Sequence, residues 1–157
     1  MLEGVRVIDI KKLPDERGFF AEVFRQDWKE FVGDDKVSQS NLFVMYPGVI
    51  KAWHRHLRGQ VDYFLVLKGA IKLCIYDESK KQLDAIILSS ERLQIARVPG
   101  RYWHGCKTLG PETALIIYFV TNLYDYKNPD EERKAWNDPS IVDSTGKLFD
   151  WNKLPHK

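Results

Sequence analysis

Apolar residues recur along this chain in short runs broken by Gly, Pro, Asp and Asn: VRVIDI, FFAEVF, VSQSNLFVMY, VIKAWH, YFLVLKG, AIKLCIYD, DAIILSS, LQIARV and ALIIYFVTN. Runs rich in Val, Ile, Leu, Tyr and Phe at short, fairly even spacing predict many antiparallel strands, and hence a sandwich or barrel. Alternation is clearest in AIKLCIYD, where Ile71, Leu73 and Ile75 turn to one face and Lys72, Cys74 and Tyr76 to the other. That is the pattern of a half-buried strand. Helix is predicted only in DWKEFV, where Trp28 and Phe31 are three apart, and in DEERKAW, where Asp130 caps and Trp136 buries. From Ser140 onward turn formers dominate, and a surface segment anchored by Trp151 is expected.

Composition narrows this picture. A chain of 157 residues is the size of one domain, spanning 1–157, and can bury a core without disulfide or metal staples. Its 24 basic and 22 acidic residues are interspersed, for a net charge of +2. No basic stripe results, so nucleic acid is not an expected partner. Cys74 and Cys106 sit in apolar strand contexts and form no CxxC, which marks them as reduced core residues and favours a cytoplasmic location. The start, MLEGVRVIDI, lacks a signal pattern, and no apolar run approaches the roughly 18 residues of a membrane span. A soluble protein with no membrane partner is the expectation.

The candidate chemistry lies between Gly48 and Gly69, in GVIKAWHRHLRGQVDYFLVLKG. His54 and His56 are alternate residues of one strand, so both imidazoles should share a face. His104 follows the Pro99–Gly100 turn in VPGRYWHG, at another strand entrance. Three of the four histidines can therefore face one pocket. His156, in the C-terminal tail, is assigned no role.

The spacing of Gly48, His54, His56, Asp62 and Gly69, with Pro99, Gly100 and His104 further on, resembles the cupin superfamily. Its small jelly-roll barrels carry a G-x5-H-x-H motif, then an acidic residue and a glycine turn, and a second motif with Pro-Gly and a later His. The rest of the chain is similar to one cupin family, the dTDP-4-dehydrorhamnose 3,5-epimerases, which generally work without metal. DERGFFAEVF resembles the family's DERGFFFE, GVIKAWH its GVLRGLH, VPGRYWHG its IPEGFAHGF, and IIYFVTNLY its FLYKTTNYY. Gln39 and Asn41 occupy its Q-x-N, and ERKAWNDPSI resembles a signature near the end of the fold.

The resemblance implies an all-β, cupin-type antiparallel jelly-roll barrel with one or two short helices, assembled as a homodimer and needing no cofactor. The implied activity is epimerisation at the 3- and/or 5-position of a nucleotide-linked, dTDP-type 4-keto-6-deoxy sugar in polysaccharide biosynthesis. It places the catalytic base on His54 and the catalytic acid on Tyr118. Substrate contacts fall on Arg17, Phe20 and Glu22, from the segment that reaches across a dimer in the family, and on Gln39, Asn41, Lys51 and His104. These residue types suit the reaction. Protons flanking a keto group are acidified, and epimerisation removes one from one face and returns one to the other. Neutral imidazole titrates near pH 6.5 and suits the abstraction, while a phenol can donate from the opposite side. Lys51, in the place of the family's arginine, can favour the enolate oxygen, though without a bidentate fork.

Two departures from the family look coupled. Its glutamine is His56 here, and its lysine that helps stabilise the enolate is Asp62. Both changes restore the metal-cupin pattern, so His54, His56, Asp62 and His104 form an alternative divalent-metal set. That set suits a metal-dependent isomerase or oxygenase, or an ion acting as Lewis acid in place of the lysine. A non-catalytic nucleotide-sugar binding module is a third reading. No LSxKD-like segment follows Trp151 to supply the aspartate that orients the base, so His54 needs another partner, for which Asp62 is a candidate. Ala52 and Trp53 replace a glycine and a leucine, which predicts a bulkier rim, and two extra residues precede Pro129. Phe19, Trp53, Tyr102 and Trp103 are either stacking platforms for a base or sugar, or plain core packing.

Overall fold

The computed structural model describes residues 1–153, so His156 lies outside the described residues. Its strands, in chain order, are β1 (Arg6–Asp9), β2 (Leu13–Asp15), β3 (Gly18–Phe20), β4 (Gln39–Met45), β5 (Ile50–Arg55), β6 (Val61–Lys68), β7 (Ala70–Asp77), β8 (Gln82–Ser89), β9 (Gln94–Pro99), β10 (Trp103–Leu109), β11 (Ala114–Val120) and β12 (Glu132–Arg133), with one short helix, α1 (Lys29–Val32). Two antiparallel five-stranded sheets face each other, ordered β1-β9-β6-β11-β4 and β12-β5-β10-β7-β8, and β2 and β3 form a separate ribbon. This is the all-β class that the apolar runs predict. The two sheets face one another as an open sandwich rather than a closed barrel.

Between the sheets lies a core built from Phe64 and Val66 of β6, Ile71, Leu73 and Ile75 of β7, Leu88, Val98 and Ile116. The odd residues of β7 therefore point where alternation puts them. The expectation that β7 is half-buried is corrected, because Cys74 and Tyr76 on its other face are also buried. They are covered by Ile141 and Trp151 of the C-terminal segment, together with Trp53 and Trp103. Lys72, on the same outer face, donates from Nζ to the carbonyls of Trp151 and Lys153 at 3.3 and 3.2 Å. A strand covered on both sides must satisfy its polar residues with backbone, and Lys72 does so. A matching layer covers the first sheet, where α1 supplies Phe31 and Val32 against Tyr63, Leu65 and Ile95. That double burial explains why YFLVLKG reads as a nearly continuous apolar run.

Two local predictions fail. DEERKAW is not helical: Glu132 and Arg133 pair with Arg55 and His54 as an added edge strand. Asp130 accepts the backbone N–H groups of Leu57 and Arg58 instead of capping a helix, and Trp136 is half-exposed. An open edge on β5 offers unpaired backbone groups, and satisfying them outweighs a weak helical period. FFAEVF forms strand only as far as Phe20, and Ala21, Val23 and Phe24 instead pack against the cluster that holds Phe31 and Val32 of α1. Cys74 and Cys106 are free and buried, as expected.

Candidate active site

The histidine-bearing strands meet at one end of the sandwich. β10 pairs with β5 so that His104 lies opposite His54, with a register irregularity immediately after His104. The turn before β10 is held by Gly100, whose carbonyl accepts the His56 N–H at 2.7 Å and whose own N–H reaches the Gln60 carbonyl at 2.8 Å. A Cβ at Gly100 would lie 2.5 Å from that carbonyl and 2.9 Å from the His56 Cβ, so only glycine permits the approach. This is the physical content of the Pro-Gly element. It presses His56 and His104 together, with ring centroids 5.7 Å apart, while His54 sits 4.1 Å from His104.

Hydrogen bonding separates the three rings by role. His104 is fully buried, donates from Nδ1 to the Tyr102 carbonyl at 2.9 Å and places Nε2 3.1 Å from Asp62 Oδ2. His56 donates from Nδ1 to the Asp130 carbonyl and places Nε2 3.5 Å from the same carboxylate oxygen. Asp62 also accepts from Gln60 Nε2 at 2.7 Å. Among the described residues, neither ring nitrogen of His54 meets a protein hydrogen-bond partner. Of the three, only His54 keeps a lone pair free for a substrate proton. Asp62 therefore does not orient His54; it is committed to the other two rings.

Electrostatics follow the same division. Burial, then the neighbouring His104, hold His54 well below the usual imidazole pKa, so it stays neutral, as a base must. Burial opposes charge on His56, but the Asp62 hydrogen bond and charge and the Asp130 carbonyl outweigh it and raise its pKa. Burial would raise Asp62, yet hydrogen bonds with His104 and His56 bring it below the normal carboxylate range. Across the interior, Tyr118 on β11 of the opposite sheet stacks on Phe64, with centroids 5.6 Å apart, and meets Phe43 edge-on at 5.5 Å. Burial and the Asp62 charge push its phenol up, which keeps it protonated.

A cleft of about 420 Å³ opens between these walls, lined by Gln39, Asn41, Lys51, His54, His56, Asp62 and Tyr118 among others. That volume falls within the roughly 300–1,000 Å³ of small-molecule sites. His104 lies below it, in a small inner cavity that also touches Lys51, His54 and Tyr118. Lys51 rests 4.4 Å from the Phe43 ring centroid. Gln39 donates to Asn41 at 2.7 Å and accepts the Tyr124 N–H at 3.0 Å.

Arg17, Phe20 and Glu22 are not part of this cleft. Arg17 and Phe20 stand exposed on the β2–β3 ribbon, where Arg17 pairs with Asp15 at 2.6 Å. Glu22 pairs with Arg25 at 2.7 Å and lines a separate groove beside Trp28. The expected bulky rim is also corrected. Trp53 is buried on the outer face of β5 under the C-terminal segment, and Tyr102 and Trp103 are core, leaving only Phe19 exposed among the four aromatics considered. What the sequence did not point to is the loop 122–131. Arg58, Tyr124, Tyr126, Asn128 and Asp130 complete the cleft wall. Arg58 grips Asn128 through its carbonyl and side chain, both at 2.9 Å, and the Tyr124 and Tyr126 rings pack 5.1 Å apart. The signal was two tyrosines in an otherwise polar loop, which have no core to enter.

A family model described as dTDP-4-dehydrorhamnose 3,5-epimerase matches residues 1–145. The chain is 41% identical over 160 residues to the "Probable low-salt glycan biosynthesis epimerase Agl13" of Haloferax volcanii, covering 99% of this chain and 97% of that one. It is 35% identical to the spore coat polysaccharide biosynthesis protein SpsL of Bacillus subtilis, covering 97% of each. Among solved structures, an RmlC 3,5-epimerase of Legionella pneumophila bound to dTDP-4-keto-L-rhamnose superimposes with a TM-score of 0.79 at 26% identity, over 89% of this chain and 77% of that one. A dTDP sugar isomerase of Desulfovibrio desulfuricans gives 0.82 at 23% identity over 98% and 94%, a likeness of fold. These likenesses do not favour a metal-dependent isomerase or oxygenase.

Proposed function

This chain belongs to the dTDP-4-dehydrorhamnose 3,5-epimerase family, and from that premise we propose that it inverts one or both carbons flanking the keto group of a nucleotide-linked 4-keto-6-deoxy sugar, with His54 as base and Tyr118 as acid. The observation that carries the assignment is the placement of these two groups on opposite sheets, both lining the same cleft and the same inner cavity.

The neutral His54 imidazole takes the proton α to the carbonyl, and the resulting enolate is reprotonated from the far wall by the Tyr118 phenol. Lys51 supplies the nearest mobile positive charge for the enolate oxygen, since it reaches both cavities. Gln39 and Asn41 bind polar groups of the sugar nucleotide, and the Tyr124–Tyr126 pair offers an aromatic face at the cleft mouth.

A homodimer is part of this reading. Edge strand β4 exposes Leu42 and Val44, and the ribbon exposes Phe19 and Phe20. Apolar side chains on an open edge and on an unsupported hairpin favour burial against a second copy, which would also bring the ribbon's Arg17 toward a substrate. Light scattering coupled to gel filtration reads the assembly directly; a monomer at micromolar concentration overturns it.

The reaction is tested by incubating the protein with dTDP-4-keto-6-deoxyglucose in deuterium oxide. Deuterium should enter at the carbons beside the keto group, and His54→Asn should abolish the exchange. Exchange that persists in His54→Asn would remove the assigned base; none in the wild type would remove the reaction.

A further inference from the structure

Gln39, Asn41 and Phe43 are alternate residues of β4 and turn to the interior, while Ser40, Leu42 and Val44 between them are exposed. In the β4–β11 ladder Asn41 is the direct partner of Tyr118, and Gln39 that of Val120. Directly opposed residues of an antiparallel pair hold their Cβ atoms about 4.5–5.5 Å apart on one face. Burial dominates the raised pKa of the Tyr118 phenol, and the Asn41 amide, by hydrogen bonding to it, pulls the other way. The ring itself is fixed, stacked on Phe64 and met edge-on by Phe43. What stays free in the acid is the torsion of its O–H.

An amide side chain can be turned either way, and here a backbone group decides. The Tyr124 N–H can only donate, so the Gln39 atom 3.0 Å from it is the carbonyl Oε1. That leaves the Gln39 NH2 facing Asn41, where it donates to Oδ1 at 2.7 Å. Asn41 then presents its own NH2 to the phenol. An NH2 can only donate, so the phenol oxygen accepts, and its hydrogen is turned away from Asn41. Among the described residues no acceptor takes that hydrogen, which is left for the cleft that Tyr118 lines. Each NH2 keeps a second hydrogen with which to bind the sugar nucleotide.

We propose that Gln39 and Asn41 are positioning residues for the acid: hydrogen bonds running from the Tyr124 N–H through both amides set the phenol hydrogen toward the substrate. Amides of either orientation can bind a polar ligand. Only this one keeps the acid's proton out of a hydrogen bond within the protein. The inference rests on the reading of Tyr118 as the acid.

Two isosteric substitutions reverse the chain. Asn41→Asp puts an acceptor beside the phenol, which then donates to the carboxylate. Gln39→Glu cannot donate to Asn41, whose amide turns its NH2 to the new carboxylate and its Oδ1 to the phenol. With dTDP-4-keto-6-deoxyglucose in deuterium oxide, loss of a binding contact slows exchange and inversion together, whereas a misdirected phenol slows inversion alone. The ratio of inversion to exchange should fall about tenfold or more in Asn41→Asp and about threefold or more in Gln39→Glu, the cost of breaking a hydrogen bond to a charged and to a neutral acceptor. Asn41→Ala, which offers no acceptor, should lower the ratio less than Asn41→Asp. Near-UV circular dichroism reports whether each variant is folded, and Gln39→Glu carries the kinetic test if Asn41→Asp is not. A neutron structure of the perdeuterated wild type reads the chain without substrate, and deuterium should lie on the Asn41 nitrogen facing the phenol. A deuteron between the phenol oxygen and Asn41 Oδ1, a ratio unchanged in the folded reversal variants while Tyr118→Phe lowers it, or Asn41→Ala as damaging as Asn41→Asp would each overturn the proposal. A ratio unchanged in Tyr118→Phe itself would remove the acid, and with it this role for the amides.

Discussion

The indole N–H groups of Trp53 and Trp151 converge on a single acceptor, the Trp136 carbonyl, at 3.3 and 3.0 Å, with the two rings 4.7 Å apart. Both side chains are almost fully buried. The C-terminal segment is therefore part of the packed structure, pinned to the outer face of the strand whose next residue is His54. Trp151→Ala removes a large buried ring and one of the two hydrogen bonds. It should destabilise the fold by about 3–5 kcal/mol, read by urea denaturation. A loss below about 1 kcal/mol would mean that the segment merely lies on the surface.

Tyr118→Phe separates the two proton transfers. His54 still removes the α-proton and can return a deuteron to the same face, so exchange continues while inversion falls by about 10²–10⁴. Exchange and inversion lost together would show that the phenol is needed before the proton leaves. The pH profile carries the same assignment. Tyr118 acts in its protonated form and burial pushes its pKa up from that of a free phenol, so any alkaline limb due to the phenol, where rising pH deprotonates it, should lie on the alkaline side of free tyrosine's titration.

Asp130 ties the cleft loop to the turn after β5, each carboxylate oxygen accepting one backbone N–H at 2.9 Å. Asp130→Ala leaves the backbone carbonyl that meets His56 in place but frees the loop bearing Tyr124 and Tyr126. KM for the sugar nucleotide should rise about five- to tenfold, with kcat within about twofold. An equal fall in kcat at unchanged KM would instead place Asp130 in the chemical step.

Burial pushes both thiols up to about 12. A raised thiol pKa leaves the protonated form dominant at pH 8, with a thiolate fraction of about 10⁻⁴. Iodoacetamide at pH 8 should leave Cys74 and Cys106 unlabelled in the native protein and alkylate both in guanidinium chloride. Rapid native labelling of either would contradict its place in the core.

Much of the architecture follows from the sequence alone because strand formation here is local: the period of β7 and the Gly and Pro breaks are properties of adjacent residues. The pairing of His54 with His56 was legible for the same reason, since alternate strand residues share a face whatever surrounds them. The chain's own order also specified the Pro-Gly turn ahead of His104. Contacts between distant segments were not legible. Whether the even residues of β7 meet water depends on Ile141 and Trp151 folding over them, and whether DEERKAW becomes helix or edge strand depends on β5 offering an unpaired edge. The free lone pair of His54, set against the committed nitrogens of His56 and His104, arises from the carbonyls of Tyr102 and Asp130. Sequence chose which groups could do chemistry, and tertiary structure decided which nitrogen is available, because a hydrogen bond is fixed by position in space and not by separation along the chain.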